Sequence, residues 1–173
     1  SKALEYFEEV LKIRLSVYGE NHSRVASVYN DIGEIYSVQG DDFKALDYFK
    51  KSLKIVLSVY GENHSQVSSI YDHIGEIYFA QKDYSKALYY FEESLKIRLS
   101  LFGENHPEVA LSYYSIGSLY IIQGDKSKAL NYYEKSLKIR LSVYGENHPL
   151  TKEIMDLINV ANSKVLQSPE TTK

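Results

Sequence analysis

Between Val25 and Gln39 the apolar residues Val25, Val28, Tyr29, Ile32, Ile35 and Tyr36 recur at steps of three and four, the spacing that lines one face of an α-helix. From Phe43 to Tyr60 a second set, Ala45, Leu46, Phe49, Leu53, Val56, Leu57 and Tyr60, covers a broader arc. A helix needs so wide an apolar surface when it is sandwiched between neighbours. No useful stretch alternates polar and apolar residues, and Gly and Pro fall almost only at unit junctions, so β-structure has little support. The whole pattern then returns with a period of 42 residues, in copies that begin at Ser1, Phe43, Ser85 and Ser127, each with Gly-Glu-Asn-His in its middle. A fixed period in the range of about 20 to 50 residues marks a stacked repeat array, because one such unit is too small to bury its own apolar face.

The pattern predicts eight helices, over 2–17, 23–39, 43–59, 65–81, 85–101, 107–123, 127–143 and 149–166. Short loops between them make neighbours antiparallel. Asn21 or His22 is placed to cap the helix that follows, and Pro107 and Pro149 stand in the opening turn of later copies. Gly40 and Gly124 end the first helix of a pair with a residue that accepts positive φ, a device that Lys82 does not repeat. The last helix departs from the pattern, with Met155, Asn159 and Asn162 where earlier copies have Tyr, Gly and Tyr. Its polar character fits a terminal repeat that needs a wettable outer face.

The expected layout is a single array over 1–167. Residues 1–22 form the second helix of a truncated repeat, 23–64, 65–106 and 107–148 are helix pairs with their junctions, and 149–167 is a capping helix. A loose tail follows at 168–173. The opening in mid-unit without Met implies an excised fragment with a further repeat upstream in its parent.

These residues resemble the tetratricopeptide repeat. Its pattern of a large aromatic, an aliphatic, Gly and Tyr, then Ala, an aromatic and a small residue, appears as Tyr29, Ile32, Gly33, Tyr36, Ala45, Phe49 and Ser52. It returns as Tyr71, Ile74, Gly75, Tyr78, Ala87, Phe91 and Ser94, and as Tyr113, Ile116, Gly117, Tyr120, Ala129, Tyr133 and Ser136. The longer period, with Gly-Glu-Asn-His-Pro at the junction, is similar to the subfamily found in kinesin light chains. The resemblance implies an all-α fold, a right-handed α-α superhelix of about eight antiparallel helices, and a general peptide-binding role. Gly33, Gly75 and Gly117 lie inside helices, where Gly costs roughly 1 kcal/mol relative to Ala, so a close helix approach is the expected compensation. Tyr29, Tyr71 and Tyr113 are expected to be buried packing residues.

Composition narrows the function classes. The hydrophobic share of 44% with 25% charged residues is ordinary for a globular protein, so a packed core is expected. Cysteine is absent, which removes disulfides and thiolate chemistry and is compatible with the cytoplasm. The net charge of −3 supplies no cationic excess for phosphates, so neither nucleic acid nor a membrane surface is an expected partner. His22, His64, His106 and His148 recur once per unit beside Glu and Asn. Equivalent loops on helices stacked about 8–10 Å apart form a ladder that cannot converge on one metal ion, so capping is the reading. No phosphate loop, zinc-protease motif or nucleophile elbow occurs, and the expectation is no catalysis and no cofactor. His73, at a place held by Asp31 and Ser115, reads as a solvated helix residue. Arg14, Arg98 and Arg140, replaced by Val56 in one copy, read as packed stems whose guanidinium bonds a nearby helix end or carboxylate.

The remaining candidate surface lies opposite the apolar face of each first helix. Stepping about 100° per residue from Val25 places Ser27, Asn30, Glu34, Ser37 and Val38 there. Their counterparts are Ser69, Asp72, Glu76, Phe79 and Ala80, then Leu111, Tyr114, Ser118, Ile121 and Ile122. By the resemblance, this side lines a concave groove that binds a protein or peptide. Its acidic stretch beside an apolar one favours a partner with basic residues around an apolar anchor. The expected function is a non-catalytic, monomeric interaction module, an adaptor or scaffold. The alternatives are a structural array that self-associates end to end, or the regulatory domain of a larger signalling protein.

Overall fold

The computed structural model of the protein describes residues 2–163; the expected tail at 168–173 lies outside them. The described residues form eight helices, α1 (Lys2–Tyr18), α2 (Ser23–Val38), α3 (Asp42–Tyr60), α4 (Ser65–Ala80), α5 (Tyr84–Phe102), α6 (Pro107–Gln123), α7 (Lys126–Tyr144) and α8 (Pro149–Ser163), and no strand. None of these helices is long and apolar enough to cross a membrane. The chain divides into two compact units, Ser1–Leu101 and Phe102–Lys173.

In the first unit α2 packs antiparallel on α3. Val25, Val28 and Ile32 are fully buried, as their spacing on one helical face requires. Ser52 on α3 donates to the Ala26 carbonyl at 2.8 Å, which ties the middle of one helix to the first turn of the other. Halfway along, a Cβ on Gly33 would lie 2.8 Å from the Phe49 ring, so this glycine buys the close approach. The hairpin of α4 and α5 repeats the arrangement, with Gly75 against Phe91. In the second unit α6 and α7 do the same through Gly117 against Tyr133, and Ser136 donates to the Ala110 carbonyl at 2.7 Å. In these two pairs, α2–α3 and α6–α7, a small hydroxyl therefore serves as a bond across the pair as well as a close packer.

Helix ends follow simple chemistry. The ring Nδ1 of His22, His64 and His106 accepts the backbone N–H of Arg24, Gln66 and Glu108, and each of these histidines is the N-cap of its helix. Each ring also stacks on the last aromatic of the preceding helix, Tyr18, Tyr60 and Phe102. His148 likewise stacks on Tyr144 and accepts from Leu150 N–H. One residue type thus satisfies an orphan amide and fills the junction. At the other end, Lys82 adopts φ 62° where Gly124 has φ 80°. The left-handed stop is kept without its glycine, at roughly 1–2 kcal/mol of steric strain.

Tyr29, Tyr71 and Tyr113 correct the expectation of full burial, because all three are half-buried. Each leans at a tilt on the next helix's tyrosine, Tyr48, Tyr90 and Tyr132, with ring centroids 5.7–6.0 Å apart. Part of each side chain stays exposed, so truncation forfeits less than a core aromatic would. Tyr71→Ala is expected to cost about 2 kcal/mol, below the ~3–5 of a fully buried ring. The check is thermal melting, with a drop of about 4–8 °C anticipated for a chain of this size.

Candidate functional site

The surface predicted opposite the apolar faces divides between the two units. In the first, Glu34 and Glu76 are exposed, and Val38 is 89% exposed at the end of α2. Asp31, Glu34, Ile35 and Val38 line an open cavity of about 340 Å³ together with Phe7. Phe79 is half-buried and meets Tyr84 edge-on at 5.9 Å. Ser37 is half-buried, while Ser27 and Ser69 turn back to donate to the carbonyls of Ser23 and Ser65 on their own helices. Those two hydroxyls are already engaged by local bonds of a kind common in helices.

Two positions differ from the sequence reading. Asp72 is not a free acid on the solvent side, because Arg98 on α5 approaches its carboxylate at 2.7 Å and both side chains are largely withdrawn from water. Burial pushes the Asp72 carboxyl above the ordinary range, and Arg98 opposes that rise without cancelling it. His73 keeps about a third of its side chain exposed but has neighbours that the sequence reading did not give it. Its ring lies flat on Phe49 at 5.0 Å and 5°. The two nitrogens face Glu34 at 3.4 Å and Glu76 at 3.9 Å. His73 therefore sits between the two exposed acids. No spacing rule pointed to it, since its sister copies carry Asp31 and Ser115.

Asp31 is half-buried, and its carboxyl is raised by burial and then by Glu34, with Arg14 working the other way. Asn30 donates to Glu34 Oε1 at 2.6 Å. Together Asp31, Glu34 and Glu76 give this face of the first unit a negative field next to apolar surface.

In the second unit Leu111, Ile121 and Ile122 are exposed, at 39–50% of their area. Tyr114 is held from two sides, donating to Glu153 Oε1 at 3.1 Å and lying under the Arg140 guanidinium at 4.9 Å. Ser118 accepts from Tyr133 OH at 3.2 Å and donates to the Tyr114 carbonyl. Tyr114 and Ser118 are half-buried and engaged by these neighbours, and the exposed apolar residues are Leu111 and the two isoleucines. Among the described residues no cluster of three or more His, Asp or Glu side chains is arranged to hold a metal ion.

The arginines follow the expectation of a packed stem bonded to a helix end. Arg14 donates to the Arg24 carbonyl and Arg140 to the Leu150 carbonyl, each at 2.6 Å.

Paired helices tied by small residues, capped by the same histidine and repeated every 42 residues define a helical-hairpin repeat protein. The family model described as Tetratricopeptide repeat matches residues 1–58, 24–100 and 66–142, and the chain belongs to that family. Its fold is that of solved arrays of the kinesin-light-chain-like kind. BtubC (BKLC) from P. vanneervenii superposes with a TM-score of 0.78 at 20% identity, over 99% of this chain and 76% of that one. The nearly identical TPR-like repeats of a Podosopora anserina protein assigned as a kinesin light chain give 0.72 at 16% identity, over 96% and 89%. The N-terminal domain of stress-induced protein-1 from C. elegans gives 0.61 at 17%, over 81% and 96%. A comparison with curated protein sequences found no significant match.

Proposed function

We propose that the chain is a non-catalytic protein-binding module, an adaptor or scaffold, whose first unit takes a partner segment carrying basic residues around an apolar anchor. A tetratricopeptide fold supports protein interaction in general. The observation behind the finer reading is the exposure of Glu34 beside Val38 at a cavity whose lining has no Lys or Arg, with the exposed Glu76 on the other side of His73 from Glu34. Opposite charge steers an encounter, while an apolar side chain in a pocket supplies most of the holding energy.

The test is capture of partners by the chain and by a Glu34→Lys, Glu76→Lys variant, compared at low and high salt. A partner retained by the parent chain should dissociate at least tenfold faster or be lost from the variant, and should weaken with salt. Unchanged capture by the variant of every partner would remove the acidic face from the site.

A further inference from the structure

Val56 stands where the other copies have Arg14, Arg98 and Arg140, and the space left by the missing side chain is a cavity of about 100 Å³ among α2, α3 and α4. Three of the residues lining it, Asn30, Gln66 and Ser69, occupy the repeat positions of Tyr114, Leu150 and Glu153. Those are the three residues that receive Arg140, through the Leu150 carbonyl at 2.6 Å, the Glu153 carboxylate at 3.4 Å and the Tyr114 ring. Arg14 reaches the same position one copy earlier, at the Arg24 carbonyl. The cavity is thus a guanidinium seat from which the chain's own guanidinium is missing.

What lines the seat is suited to a donor. Asn30 Oδ1 and Gln66 Oε1 are both buried and have no hydrogen-bond partner among the described residues. The orientation of the Asn30 amide is set by its Nδ2, which donates to Glu34. Its oxygen must therefore be the atom left over. Buried acceptors without donors are uncommon and cost about 1–3 kcal/mol each. Asp31 adds a carboxylate to the lining, and no Lys or Arg takes part. Burial and then Glu34 disfavour the charged form of that carboxylate, with Arg14 opposing them, and a cation in the seat would act in the same sense as Arg14. A volume of about 100 Å³ exceeds the ~10–15 Å³ that a single water requires, so the seat has room for a planar fork of donors.

We infer that this cavity accepts an arginine side chain from a bound peptide, which completes in trans the rung that Arg14 and Arg140 complete in cis. The inference deepens the interaction reading above by naming one side chain of the partner, and it rests on that reading for its biological use. Arginine is preferred to lysine because its fork can serve the Asn30 and Gln66 oxygens and the Asp31 carboxylate from one plane, whereas an ammonium is a point charge with a tighter hydration shell.

The test is an NMR titration of the whole chain with a blocked glycine–arginine–glycine tripeptide, set beside the same peptide with lysine or norleucine at its centre. The arginine peptide should shift the Asn30 side-chain amide and the Gln66 and Ser69 backbone signals, with a Kd on the order of millimolar. The lysine and norleucine peptides should need at least tenfold more. Val56→Arg should fill the seat and abolish the response while melting no lower than the parent, since the same position carries arginine in three sister copies. Should that variant fail to fold, Asn30→Ala serves instead, with an expected loss of about fivefold or more in affinity. Equal responses to norleucine and arginine, or a response undiminished in a folded Val56→Arg or Asn30→Ala chain, would overturn the inference. The titration uses no natural partner. A chain that captures no protein can still pass it, and a chain that captures proteins through another surface can still fail it.

Discussion

Gly117→Leu destabilises the second unit by roughly 3 kcal/mol or more, the upper end of what overpacking a core produces. The reason lies in what the first added carbon meets. A Cβ at this position would sit 2.6 and 2.7 Å from two atoms of the Tyr133 ring and 3.3 Å from the Ala129 carbonyl oxygen. The ring has little freedom to swing aside, being 2% exposed and bonded through its hydroxyl to Ser118. The backbone oxygen belongs to α7 itself, so α6 and α7 must separate. Gly117→Ala meets the same contacts but gains back about 1 kcal/mol of helix propensity, and should fall between the parent and the leucine variant. Urea unfolding followed by tyrosine near-UV circular dichroism reads the order directly. An unchanged midpoint for the leucine variant would mean that the close approach is not a constraint. A Tyr133→Leu background should shrink the penalty, because residues in contact do not act additively.

Arg98→Leu is the second large effect, expected to cost about 3 kcal/mol or more at neutral pH. Removing one partner of a withdrawn ion pair leaves the other charge without compensation, for which ~3–5 kcal/mol is typical. Some exposure of Asp72 puts the expectation toward the lower end. Adding Asp72→Asn should recover part of the loss.

The pH dependence gives an independent reading. Asp72 already has a folded pKa above its ordinary value, so between the two values the folded chain holds a proton that the unfolded chain has released. In that window stability falls as pH rises. Without Arg98 the folded value climbs further, and the deficit against the parent should grow from acid toward neutral pH. Asp41, Asp83 and Asp125 behave in the opposite sense. Side-chain and then backbone bonds from Lys44 and Lys86 hold Asp41 and Asp83 below the ordinary carboxylate range, and backbone and then side-chain bonds from Lys128 do the same for Asp125. Their stabilising contribution is present above the unfolded pKa and is lost as pH falls. Chemical shifts of the aspartate side chains against pH should separate Asp72 from these three. An Asp72 that titrates with them would contradict the burial of the pair.

The candidate face shows where reading along the chain stopped being sufficient. Helical angle placed Ser27, Asn30, Glu34, Asp72, Glu76, Tyr114 and Ile121 together on the side away from the core, and for Glu34, Glu76 and Ile121 that side is open. Asp72 is largely withdrawn and Tyr114 half-covered, because Arg98 and Arg140 reach across from the next helix. The angle of a residue around its own helix carries no information about a long side chain arriving from the neighbouring helix. One signal was present nonetheless. Where the arginine is kept, as Arg98 and Arg140, the facing position is a carboxylate or an aromatic, Asp72 or Tyr114, and where Val56 replaces it that position is the neutral Asn30.

The 42-residue period and the three-and-four spacing of apolar residues carried the element count, the capping histidines and the glycines at the close approach. These depend on local geometry and on a repeat that states the same rule several times. Helix ends followed to within a residue at α2 to α7 for the same reason. Tertiary structure alone decided how deeply Tyr71 is buried, that His73 lies between two acids, and that a cavity remains beside Val56. Each of those depends on which side chain from another helix is long enough to arrive, and the distance between helices appears nowhere in the order of residues along one of them.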